Sequence, residues 1–324
     1  MTGLRIGYLL PTRDRAVLGD HEVTPLIRQA QRAEQLGLDS VWAGDSPVTR
    51  PRADALTVLS AVAAGTERVT LGTAVLLGAL RHPILLAQQL ATLDRISEGR
   101  LVAGMGGGFP NPATEGQFAA LGIGFRSRIG RLEEAIVAMR LLWREKAVSY
   151  EGKHFAFEDV TLAPSPAQAG GPPIWLAGSG EAALRRVSRL ADGWLPYPPE
   201  PQTYEHEWAA VRGEAEHSVT PGLYATLCLD DDPERARRRL RASIERYYNA
   251  PLEYIESIQA MFAGTPDGAA AWLARYAEAG ARHVVIRLAV DDHTAALEEF
   301  ADRVLPLVRT PLARTPLART GDCS

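Results

Sequence analysis

Short apolar runs alternate with amphipathic stretches along nearly the whole chain, and the alternation predicts strands followed by helices. Residues 4–10 form the first apolar run, a strand stopped by Pro11. Thr24 before Pro25 reads as a cap and a first-turn proline, with Leu26, Ala30, Ala33 and Leu36 as the buried stripe and Gly37 as the stop. Residues 40–43 give a second strand, 53–64 a helix and 68–76 a third strand. Pro83 opens a helix carrying Leu86, Leu90 and Leu93, closed at Glu98-Gly99. Residues 101–105 are a fourth strand running into Gly106-Gly107-Gly108-Phe109-Pro110. A long helix over about 127–145 follows, with Ile129, Leu132, Ile136, Met139 and Trp143 on one face.

The pattern is then interrupted. Val148, Tyr150, Phe155 and Phe157 alternate around Glu151-Gly152, which reads as a hairpin, and the Pro/Gly-rich residues 164–173 return the chain to a fifth strand at 174–177. Gly178-Ser179-Gly180 turns the chain into a helix whose buried side is Ala183, Leu184, Val187, Leu190 and Ala191. Further strands are expected at 193–197, 223–229 and 283–288, with a last helix over 293–308. Eight strands alternating with helices fit an α/β fold of the (β/α)8 TIM-barrel kind, with insertion segments at the C-terminal face of the strands. A doubly wound open sheet is the rival arrangement. The expected organisation is one barrel domain over 1–309, with a hairpin insertion at about 146–172. Residues 310–324, which repeat a proline-bearing polar unit, are expected to form a disordered tail.

Composition narrows the function. The chain has 324 residues, 46% hydrophobic content and a net charge of −4, which disfavours a nucleic-acid surface. Its one basic run, 235–241, follows Asp230, Asp231, Asp232 and Glu234, as on an exposed helix. No signal segment precedes the first strand, and the longest apolar run, about 69–80, is too short to span a membrane. Cys228 and Cys323 make no disulfide framework, so a reducing, cytoplasmic setting is expected.

In a barrel, reactive groups stand at the carboxyl ends of the strands. That rule selects Asp45 and Ser46, Ala74 and Val75, the stretch from Gly106 to Phe109, Gly178 to Gly180, Tyr197 and Arg287. The set is rich in glycine and poor in acids, bases and nucleophiles. Asp45, Ser46 and His82 are the candidate catalytic residues, although Asp45 equally suits capping and His82 a structural hydrogen bond. Arg126, Arg128 and Arg131 either meet a substrate anion or lie on an exposed helix face. The free amides at 178–180 and the positive end of the following helix dipole suit a phosphate. Gly-Ser-Gly is not a nucleophile elbow, and the seven histidines show no metal spacing. A site short of its own reactive groups points to a borrowed cofactor.

Four segments, in this order, resemble the bacterial luciferase-like superfamily of flavin- and deazaflavin-dependent oxidoreductases: residues 72–76, 86–101, 150–155 and 174–179. The resemblance runs over about 4–308 and implies a cofactor ring at the strand ends. It further implies a non-proline cis peptide at Ala74–Val75 behind that ring, a phosphate on Ser179 with Gly178 and Gly180, and Gly106, Gly107 and Gly108 against the cofactor. Within the superfamily, the deazaflavin sugar-phosphate dehydrogenase branch places a histidine where Ser46 stands and an acid near Phe109. The luciferase branch often has an arginine where Gly107 stands. The leading expectation is a monooxygenase using reduced FMN, supplied by a separate flavin reductase, on a small organic substrate. The alternative is hydride transfer with coenzyme F420, whose acidic tail would leave past Arg13, Arg15, Arg50 and Arg52. A flavin-binding barrel without turnover is the third possibility. Family resemblance also implies a homodimer.

Overall fold

The computed structural model describes residues 3–309. Its parallel strands are β1 (Arg5–Leu9), β2 (Ser40–Ala43), β3 (Thr70–Thr73) and β4 (Leu101–Met105), then, after the antiparallel hairpin β5 (Val148–Glu151) and β6 (Ala156–Val160), β7 (Ile174–Leu176), β8 (Gly193–Trp194), β9 (Thr220–Leu229), β10 (Met261–Gly264) and β11 (His283–Leu288). Strands β1, β2, β3, β4, β7, β8, β9 and β11 pair in that order, and β11 returns to β1. Closure depends on Gly193↔Thr220 and Trp194↔Pro221 between β8 and β9. The fold is therefore a closed TIM barrel, and the open-sheet rival is excluded.

Strand β10 was not expected. It lies along the edge of β9 from Met261↔Thr226 to Gly264↔Leu229, above the point where β8 ends. The two residues of β8 leave the upper edge of β9 without a partner, and β10 satisfies those backbone groups.

Strands of a barrel are covered on both faces, which is why they read as continuous apolar runs. On the inside, Trp42 and Trp175 fill the lower half with ring centroids 5.3 Å apart, and His283 meets both rings edge-on. Their bulk needs bare backbone opposite. A β-carbon on Gly72 would fall inside the Trp42 ring, and one on Gly193 inside the Trp175 ring. On the outside, helices pack their apolar stripes against the strands; six of them carry proline in the first turn. Thr24 is not the cap expected of it: it lies inside the helix Thr24–Gln35, Val23 holds the cap position, and no side chain caps that end. Gly37 does end the segment in the left-handed region, at φ 84°.

The hairpin is pinned to the helix Arg128–Arg144 by Glu134, which accepts the amides of Lys153, His154 and Phe155. Buried Asp94 holds the stretch that follows through the backbone amide of Gln168 at 2.8 Å and its side-chain amide at 2.7 Å. The basic run lies on the helix Pro233–Tyr248, where Arg235 and Arg239 pair with Asp230, Arg237 with Glu256 and Arg241 with Glu253. Those charges are spent within the chain. Among the described residues no helix is long and apolar enough to cross a membrane. The tail expected at 310–324, with Cys323, lies outside the described residues.

Candidate active site

The upper end of the barrel is built around the exit of β3. The Ala74–Val75 peptide is cis, as the resemblance implied, and Leu76 then bridges to Met105. Ala74 and Val75 are half-buried on top of the inner apolar cluster of Leu9, Trp42, Val102, Trp175, Leu195 and Val285. A β-carbon on Gly106 would come within 2.8 Å of Val75 Cγ2 and 3.8 Å of Ala177, so the tips of β3, β4 and β7 converge there. Gly107 and Gly108 do not share that face. Their missing side chains make room for Ile129, at 2.5 Å, and for Thr114 and Phe118, at 2.9 and 3.5 Å. Of the three glycines expected against a cofactor, Gly106 alone opens toward the bulge, because the other two are packed by surrounding helices.

The three candidate catalytic side chains hold loops. Asp45 accepts the Leu77 amide at 3.0 Å and both Arg81 nitrogens at 2.7 and 3.1 Å, tying the chain after β3 to the end of β2. Ser46 is buried; its hydroxyl donates to Gln117 Oε1 at 2.9 Å and accepts the Arg50 amide at 3.1 Å. His82 is exposed, caps the helix Pro83–Ile96 through the Ile84 amide, and stands edge-on to Phe155 at 5.5 Å. Every one of them has a structural partner, and for His82 it is the structural hydrogen bond that the sequence also allowed. Arg131 and Arg128 behave likewise: Arg131 donates to Ala79 O and covers the Phe155 ring, and Arg128 covers Phe125.

The turn Gly178-Ser179-Gly180 stands at the tip of β7, and Ser179 is exposed. One of its amides is already engaged: Gly180 N–H donates to Glu207 Oε1 at 3.0 Å, from the helix Pro201–Glu214. Glu207 is 9% exposed and its Oε2 has no partner. A phosphate at this turn therefore meets a carboxylate that the strand-turn-helix pattern did not announce.

On the other side of the mouth, arginines and tyrosines gather. Arg13 is buried, donates through Nε to Tyr247 O at 2.8 Å and lies 5.1 Å from the Tyr247 ring. Arg50 lies 5.6 Å from the Tyr248 ring, and Arg52 donates to Arg50 O. Arg52 also occupies the space a β-carbon on Gly44 would need, close to the end of β2. Burial, and then the charges of Arg52 and Arg50, push the Arg13 guanidinium down to about 10, against the opposing pull of Tyr247 and Tyr248. Among the described residues no carboxylate pairs with Arg13, Arg50 or Arg52. Arg15 differs, since it turns away and pairs with Asp20.

Arg287 projects inward from β11 and is 1% exposed. Its Nη2 donates to Asp14 Oδ1 at 2.5 Å and to Ser243 Oγ at 2.9 Å, and Tyr247 covers the guanidinium at 4.0 Å. Nearby, burial raises the hydroxyls of Tyr224 and Tyr248 above their ordinary range. Asp14, Thr226, Tyr224, Tyr247 and Tyr248 were not singled out from sequence. Thr226 and Tyr224 look there like ordinary strand residues, and Asp14 is 273 positions from its partner. No group of three or more His, Cys, Asp or Glu side chains among the described residues is placed to hold a metal ion.

The family model described as luciferase-like monooxygenase matches residues 4–283. An F420-dependent glucose-6-phosphate dehydrogenase of Kineococcus radiotolerans is 30% identical over 315 residues, covering 86% of this chain and 91% of that protein. Among solved structures, the monooxygenase RslO1 from Streptomyces bottropensis superposes with a TM-score of 0.77 at 24% identity, covering 94% of this chain and 99% of the other. An F420-dependent secondary alcohol dehydrogenase bound to an F420–acetone adduct gives 0.76 at 20%, covering 95% and 99%. At these identities the two structures speak for the fold alone.

Proposed function

The chain belongs to the luciferase-like monooxygenase family of oxidoreductases, and from that premise we propose that it works with coenzyme F420, the alternative to the reduced-FMN monooxygenase that the sequence put first. The observation that carries this reading is the trio Arg13, Arg50 and Arg52 at the mouth, positive charge without a carboxylate partner. Three such groups held close repel one another unless an anion joins them. A deazaflavin with an acidic tail supplies several anionic groups, whereas FMN supplies one phosphate. The names of relatives such as the Kineococcus protein support the same choice.

When bound, the deazaflavin supplies hydride transfer to or from a carbon of the substrate. The chain's own contribution is positional. Val75 and Ala74, resting on the inner apolar cluster, offer a firm wall for a flat ring, and the bare backbone of Gly106 lets Val75 pack closely against it. The indoles of Trp42 and Trp175 close the barrel beneath and exclude water from that side. The arginine trio draws the tail outward. Asp45, Ser46 and His82 keep their structural bonds, so the proton-transfer arrangement differs from one built on a histidine at position 46 and an acid near 109. A sugar phosphate is accordingly not the substrate we assign.

Titration of the purified chain with F420 and with FMN, followed by oxygen uptake after reduction, tests the reading. The expected result is tighter binding of F420, an affinity that falls as salt rises, and no substrate-dependent oxygen consumption. Binding of FMN in preference, with substrate-dependent oxygen uptake, would overturn it in favour of the monooxygenase.

A further inference from the structure

Inside the barrel mouth, three polar atoms are buried without a hydrogen-bond partner side by side: Arg287 Nε, Arg287 Nη1 and Thr226 Oγ1. They belong together because Arg287 and Thr226 are paired across the β11–β9 ladder. One pair down that ladder, on the same inward face, Val285 and Tyr224 pack with Ala74 and Val75 in the inner cluster. The unpartnered atoms therefore lie one side-chain layer above the level of the bulge. They are also opposite it, since β9 is four strands from β3 in either direction round the ring.

Buried polar atoms in folded proteins are nearly always hydrogen-bonded, and a hydroxyl left alone destabilises the fold. Valine has nearly the shape of threonine and would suit this strand at least as well, so packing does not explain Thr226. Charge indicates what the site accepts. Asp14, itself buried, already balances the Arg287 guanidinium, and Ser243 shares the same nitrogen. What remains is a set of donors on a neutral pair. An anion there would leave a net negative charge at a place 1% exposed, whereas a neutral oxygen adds none.

We propose that Thr226 and Arg287 form the subsite for a neutral oxygen of the substrate, a carbonyl or the corresponding hydroxyl, held opposite the cofactor wall. Tyr247 covers the guanidinium at 4.0 Å, so entry of a substrate oxygen would require its ring to move aside. The assignment rests on the oxidoreductase reading, because it specifies the substrate class for that same mouth.

The test uses the full chain without cofactor, cyclohexanone and cyclohexanol as neutral probes, and glucose 6-phosphate as the anionic one. Binding is read by ligand-observed NMR and fold integrity by thermal unfolding. In Thr226→Val the neutral probes are expected to bind about five- to tenfold more weakly, with a melting temperature equal to or above that of the parent. Arg287→Lys, which keeps a cation beside Asp14, is expected to weaken them at least about tenfold, because the directed fork of donors is lost. Neutral-probe affinity indifferent to Thr226→Val, no neutral-probe binding at all, or a preference for glucose 6-phosphate would each overturn the subsite. A separate F420 titration keeps the two ideas apart. If F420 fails to bind while Thr226→Val still weakens cyclohexanone, the cofactor reading falls and the subsite stands.

Discussion

In the lower half of the barrel, Trp42 donates its indole N–H to Ser40 Oγ at 2.7 Å, and Ser40 lies 2.7 Å from His283 Nε2. An indole N–H can only donate, so the serine oxygen accepts from it while also hydrogen-bonding the imidazole. At the upper end, Arg287 on the same strand as His283 and Thr226 on its neighbour β9 keep donors that nothing among the described residues accepts. Both layers are buried and both are polar. The lower one is closed on itself and contributes stability, while the upper one tolerates a deficit that a bound molecule would relieve. Unsatisfied polarity, more than the mere presence of charged residues, separates the functional end from the supporting end.

The contrast breaks most visibly at Trp42. Trp42→Ala empties the centre of the barrel and removes the donor to Ser40, and is expected to destabilise by about 3–5 kcal/mol in urea denaturation. A loss below about 1 kcal/mol would mean that the lower layer is no more structural than the upper. Acid offers a second challenge. Burial, with a smaller push from Arg5, lowers His283 to about 3, and burial lowers His293 to about 4. Both titrate near 6.5 in the unfolded chain, which therefore binds more protons than the folded one between pH 6.5 and about 4. Stability contributed by the two neutral imidazoles is present above pH 6.5 and is lost as pH falls. The expected loss is about 2 kcal/mol between pH 6.5 and 5.5, and roughly half that in His283→Asn. An acid loss unchanged by His283→Asn would contradict the sealed lower layer.

How far the sequence reveals these two ends differs for a physical reason. Strand and helix order is local, written in apolar runs bounded by proline and glycine, and the closed barrel followed from it. Strand β10 escaped because Met261–Gly264 is short and mostly half-buried, with no periodic pattern. The cis peptide at Ala74–Val75 came from a family resemblance, whereas the packing of Val75 against Gly106 did not. Residue roles were the least legible. Asp45, Ser46 and His82 sit where reactive groups belong, yet Arg81, Gln117 and the Ile84 amide consume them. Thr226 carries no sequence signal at all, since a threonine in an apolar strand is unremarked until its hydroxyl proves to have no partner.

A smaller effect sharpens the comparison at the rim. Arg52→Ala removes one member of the unpaired trio and is expected to weaken F420 about five- to tenfold, and FMN by less than about twofold, at low salt. The difference should shrink as salt rises, because half-buried charges are partly screened. Equal loss for both ligands would place Arg52 against the ring or the phosphate rather than the acidic tail.

The smallest effect lies at Glu207, where the upper end sets a carboxylate against the turn, the wrong charge for a phosphate. Its Oε1 takes the Gly180 amide that the turn would otherwise offer, and its Oε2 lies buried without a partner. Glu207→Gln keeps an oxygen for that amide and removes the negative charge, so the turn becomes a better anion site with little change in shape. Affinity for FMN is expected to rise about two- to fivefold, the scale of one charge near a helix start, while affinity for riboflavin, which lacks the phosphate, stays constant. A parallel gain for both ligands would mean that the substitution acts through loop mobility. A loss confined to FMN would show that the carboxylate orients the turn for phosphate instead of competing with it, and Glu207 would then pass from the deficit of the upper end to its supporting frame.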